Sequence, residues 1–90
     1  MENIKVEKKL SPEVLKKRGV FDWPLWEKEI SKFPWVYNQE EKCYITEGEA
    51  EIIMENEVVV IKAGDFVTFK KGLECTWNII ADIKKHYNFS

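Results

Sequence analysis

Ninety residues carry one domain's worth of chain, since stable domains run from roughly 50 to 250 residues, so a two-domain reading is excluded. With 44% apolar residues, 13% aromatic and four tryptophans the chain is too hydrophobic to be disordered, yet no uncharged apolar run approaches the ~18 residues of a membrane span. Fourteen basic and sixteen acidic side chains give a net charge of −2, and the lysine pairs are scattered among acids, which excludes a nonspecific nucleic-acid surface.

The first residues, Met1 to Glu7, lack the basic start, apolar stretch and cleavage site of a secretory signal, and Glu2 stands where myristoylation needs glycine. A cytoplasmic location is expected, with Cys43 and Cys75 as free thiols. The strongest helix signal follows. Ser11 can cap, Pro12 suits the first helical position, Glu13 complements the positive end, and Gly19 stops the basic stretch Lys16, Lys17, Arg18 after about two turns. From Val20 to Val36, Pro24 and Pro34 interrupt any regular element, and the spacing predicts irregular or edge-strand structure carrying Trp23, Trp26 and Trp35 over a core.

Beyond Glu41 the pattern is that of β structure, with six candidate strands. Residues 43–46 end near Gly48, and 50–55 alternate Ala50, Ile52 and Met54 against glutamates before Asn56 and Glu57 turn into 58–62. Gly64 and Asp65 lead into 66–69, Lys71 and Gly72 turn again, and 75–80 and 83–89 complete the set. So many strands would leave costly open edges unless they curl into a barrel. Glu47, Glu49, Glu51, Glu55 and Glu57 read as a solvated outer face.

Here the spacing becomes specific. Glu41 is followed after six residues by Gly48, and Gly64 after seven by Gly72, through the run Ala-Gly-Asp-Phe-Val-Thr-Phe-Lys-Lys-Gly-Leu-Glu-Cys. This resembles the two signature motifs of the cupin superfamily, G-x5-H-x-H-x3,4-E-x6-G and G-x5-P-x-G-x2-H-x3-N, with three of the four glycines kept. Trp23-Pro24-Leu25-Trp26-Glu27, Phe33-Pro34-Trp35, Cys43-Tyr44-Ile45 and Lys85-His86-Tyr87 are similar to small cupins grouped with the (S)-ureidoglycine aminohydrolase cupin domain. The resemblance implies an all-β, jelly-roll type cupin barrel with one short N-terminal helix. Residues 1–90 then form a single cupin domain, 1–36 being the helix and aromatic edge segment and 37–90 the barrel core.

Carrying the motifs over residue by residue exposes a departure. The two first-motif histidine positions fall on Trp35 and Tyr37, or on Pro34 and Val36 with the longer gap; the second-motif proline, histidine and asparagine positions fall on Lys70, Cys75 and Ile79. Only Glu41 of the ligand set is kept. A cupin metal site needs neutral imidazoles beside its carboxylate, and this chain owns one histidine. No cofactor is expected; a divalent metal held by Glu41, Cys43, Cys75 and His86 is the alternative.

Period-two alternation puts Glu41, Cys43 and Ile45 on one face, Cys75, Trp77 and Ile79 on another in-phase set, and Ile83, Lys85, Tyr87 and Phe89 on a third. If the family's ligand positions face the lumen, all of these do, with Trp35 and Tyr37, while His86 is out of phase and expected at the surface. An inward Lys85 is expensive unless a carboxylate such as Glu41 pairs with it. The expected ligand-lining set is Trp35, Tyr37, Glu41, Cys43, Cys75, Trp77, Lys85 and Tyr87.

Three functions fit these residues. In a metal-free lumen, Lys85 takes an anionic or carbonyl group of a small metabolite and Glu41 a donor. In an enzyme acting on a small nitrogenous or carbonyl compound, Lys85 or Cys75 serves as nucleophile or base with Glu41 as acid/base partner. In a structural module, the segment from Trp23 to Trp26 forms a homodimer contact.

Overall fold

Backbone hydrogen bonding in the computed structural model, which describes residues 3–90, organises seven strands and one short helix. The helix is where the capping signals place it: α1 spans Pro12–Lys17, and Ser11 Oγ accepts a hydrogen bond from the Val14 N–H at 3.2 Å. Its one buried residue, Leu15, joins Val20 and Phe66 in a small apolar cluster on the outside of the sheet. A 3₁₀ turn, Val20–Asp22, continues that cover.

The strands are β1 (Ile4–Lys8), β2 (Leu25–Lys28), β3 (Ser31–Val36), β4 (Glu41–Ile53), β5 (Val58–Lys62), β6 (Asp65–Phe69) and β7 (Glu74–Phe89). All pair antiparallel. The two long strands form the frame: β4 pairs with β7 along its length, with β6 near its start and with β5 near its end, while β7 takes β2 and β3 on its other edge. Val67 and Phe69 of β6 share one buried cluster with Ile52, Ile61 and Trp77, so the sheet curls over onto itself as a jelly-roll barrel.

Two differences from the sequence reading have a common cause. Four of the six expected strands merge into two, because neither Gly48 nor the stretch Ala81 and Asp82 ends a strand; each is a bulge within one. Gly48 has a φ of 91°, and a Cβ there would fall 2.7 Å from Ile83 Cα and closer still to the Asp82 carbonyl oxygen. Only glycine lets β4 and β7 approach at the bend. The segment 20–36, expected to be irregular or edge structure, supplies β2 and β3. Pro34 is tolerated because β3 pairs with β7 alone among the described residues, leaving its other edge free of ladder bonds. β1 was not anticipated at all; its Ile4 and Val6 pack on the barrel core.

Among the described residues no helix is long and apolar enough to cross a membrane.

Candidate functional site

Register decides which inward side chains meet. Glu41, Cys43 and Ile45 of β4 stand opposite Phe89, Tyr87 and Lys85 of β7, so Glu41 and Lys85 begin two same-face rungs apart, about 13 Å along the strands. Both side chains must lean along the barrel to meet, and they do: Lys85 Nζ donates to Glu41 Oε2 at 2.7 Å. The pair is inside the protein, with Glu41 2% and Lys85 5% exposed. Two charges withdrawn from water cost several kcal/mol each, roughly, before their attraction offsets it. Aromatic faces add to the compensation. Lys85 Nζ lies 4.6 Å from the ring centroid of Trp77 and 4.9 Å from that of Trp26.

Those rings are fixed by their own neighbours. Trp26 on β2 is the register partner of Lys85, and Phe33 on β3 is that of Trp77, with the Phe33 and Trp77 rings parallel at 6.3 Å. Trp77 Nε1 donates to Tyr37 Oη at 3.2 Å. Tyr37 stacks on Phe69 at 4.8 Å and is pinned by two backbone bonds to the turn between β6 and β7, its N–H to the Leu73 carbonyl and its carbonyl to the Gly72 N–H. Burial, with the Glu41 carboxylate beside it, pushes the Tyr37 phenol far above its ordinary range, so it stays protonated.

These groups surround a cavity of about 250 Å³, near the lower end for small-ligand sites. Of the eight residues expected to line it, six do: Trp35, Tyr37, Glu41, Trp77, Lys85 and Tyr87. Trp35 stands at the mouth, 45% exposed. Cys43 and Cys75 do not line it. Cys43 is wholly buried, and its burial, with Glu41 adding to it, outweighs the opposing pull of Lys85 and raises the thiol to about 12. Cys75 rises to about 11, again by burial first and Glu41 second. Burial thus disfavours the thiolate of both, and gives Cys75 no activation as a nucleophile.

Sequence reasoning missed Trp26 and Phe33 and gave Phe89 no binding role. A signal for one was present: Phe33 is in phase with Trp35 and Tyr37, so the alternation already traced through those two extends one step back. Trp26 had no such marker.

The cupin metal does not suit this donor set. The one carboxylate at a ligand position is held by an ammonium, the thiol at another is protonated, the tyrosine accepts a hydrogen bond from Trp77, and Trp35 has no lone pair to give. The alternative set is corrected as well. His86 lies on the other face of β7 with Nδ1 2.9 Å from the Trp23 carbonyl, half-buried against Phe21, and no three His, Cys, Asp or Glu groups gather for a metal among the described residues. In the segment expected to make a dimer contact, Trp23 packs on Phe66 and Trp26 faces the cavity, leaving Leu25 as its exposed apolar residue.

Comparison with known proteins agrees with the architecture. A DUF861 family protein from Thermotoga maritima is 48% identical, its solved structure superposing with a TM-score of 0.92 over 97% of this chain and 99% of that one. The EutQ protein of Clostridium difficile shares the fold at 17% identity and a TM-score of 0.68, over 96% of this chain and 66% of that one. A putative ethanolamine utilization protein Q from Salmonella typhimurium does so at 20% identity and 0.66, over 96% and 68%. No curated protein matches the sequence. The family model that matches, over residues 15–87, is that of the EutQ-like cupin domain, which supports the sequence resemblance at the level of the cupin family. This chain belongs to the EutQ-like cupin domain family.

Proposed function

We propose that the barrel lumen binds a small polar metabolite at the Glu41–Lys85 pair, without the three-histidine metal of catalytic cupins. One observation carries this reading: a buried ion pair opens onto an aromatic cavity instead of being sealed inside packed side chains. An apolar pair of similar volume would hold the barrel at least as well, because desolvating two ions consumes most of what their attraction returns. A ligand that uses the ammonium and the carboxylate gives the pair a reason to be there. The aromatic walls then supply contact area, as is general for small-ligand pockets.

The test compares the wild type with the double variant Glu41→Leu/Lys85→Met, which keeps the site's volume without leaving a lone charge. Thermal unfolding in the presence of a panel of small polar metabolites should show at least one compound that raises the Tm of the wild type and not of the double variant. The reading fails if every stabilising compound acts equally on both proteins, or if none stabilises the wild type at millimolar concentration.

A further inference from the structure

The charges facing the cavity already balance. Lys85 is answered by Glu41 at 2.7 Å and by the faces of Trp77 and Trp26, and the remaining lining side chains are aromatic. An anion brought to Lys85 would set a second negative charge beside Glu41, in surroundings where water screens little. A cation brought to Glu41 would meet Lys85 in the same way. Neither has a counter-charge of its own to find.

What the pair offers is a donor beside an acceptor. The ammonium has three N–H groups, and among the described residues the second Glu41 oxygen, Oε1, has no hydrogen bond to a side chain. A planar group with a carbonyl oxygen next to an N–H matches both at once, the oxygen accepting from Lys85 while the N–H donates to Glu41. Adding no net charge, it leaves the ion pair intact. Apolar walls and a volume of about 250 Å³ complete the description: an apolar body about one ring in size.

We infer that the lumen selects neutral carboxamide-type ligands, with a carbonyl acceptor adjacent to an N–H donor on a small apolar body, over carboxylates and ammonium ions of the same shape. The inference rests on the lumen being the ligand site.

Benzamide, benzoate and benzylammonium are size-matched probes. Each is titrated into 15N-labelled wild-type protein, following the indole N–H signals of Trp26 and Trp77. Benzamide should move both signals and bind at least tenfold more tightly than either ion. In Glu41→Gln, which leaves Lys85 without its counter-charge, the order should turn over in favour of benzoate. Benzoate or benzylammonium binding the wild type as tightly as benzamide overturns the selectivity and leaves the lumen site standing. Three probes that leave both indole signals unmoved overturn the selectivity and the lumen site together. The wild-type comparison decides the matter even if Glu41→Gln does not fold.

Discussion

Two parts of the barrel interior are built from the same alternation and end differently. Toward β5 and β6 the inward positions hold Ile45, Ala50, Ile52, Ile61 and Val67, all fully buried, and the space is filled. Toward β2 and β3 they hold Trp26, Phe33, Trp77 and Lys85, and a cavity remains. Branched aliphatic side chains interdigitate to the density of a crystal, whereas the rings of Trp26, Phe33 and Trp77, held at fixed angles to one another, leave a gap beside them. The aliphatic side holds the barrel closed, and the aromatic side is the part that the proposed function gives to a ligand.

Lys85→Ala gives the largest expected effect, because it strands Glu41 as a lone charge in the protein: a loss of about 3–5 kcal/mol in urea unfolding. The double variant Glu41→Leu/Lys85→Met should recover most of that loss, or exceed the wild type. If the double variant is no more stable than Lys85→Ala, the ion pair is holding the barrel and the contrast between the two sides disappears. On the aliphatic side Ile61→Ala should cost about 2–4 kcal/mol by the same measurement, with no partner substitution that restores it. Tyr37→Phe is expected to cost about 1–2 kcal/mol, since it leaves the Trp77 indole N–H buried without an acceptor, and it should also loosen the cavity wall enough to shift the Trp77 fluorescence.

Near neutral pH the smallest effect is in the thiols, which act only in alkali. A thiol whose folded value lies above its unfolded value of about 8.5 lends stability that is whole below that pH and is lost as the pH climbs through the folded value. With Cys43 raised to about 12 and Cys75 to about 11, stability should hold up to about pH 8.5 and decline from there toward pH 12. Cys43→Ala and Cys75→Ala should each flatten that decline. Labelling by a thiol reagent at pH 8 should be slow for both, with Cys43 the slower because it is fully buried; fast labelling of Cys75 would restore it as a candidate nucleophile.

How much of this was legible in the sequence depends on the range of the interaction that decides each feature. The alternation of Glu41, Cys43 and Ile45, and of Lys85, Tyr87 and Phe89, is local, and it was enough to turn Lys85 inward beside Glu41. The Ser11 cap is local too. The continuity of β4 through Gly48 is not, since it depends on the Asp82 backbone lying against that glycine from far along the chain. Trp26 became a cavity wall only through its register with Lys85, which a segment bounded by prolines does not reveal. The two cysteines were in phase with the lumen and still missed the cavity, because phase fixes a face and says nothing about where along that face the space lies.

The long strands carry a consequence for cutting the molecule. A nick at Asn56, in the hairpin between β4 and β5, would put one long strand in each fragment, and each fragment would then display an unzipped edge thirteen or sixteen residues long. Neither piece could cover its apolar face alone, but each presents the complement the other lacks. The two halves are thus expected to find each other again by edge pairing when mixed.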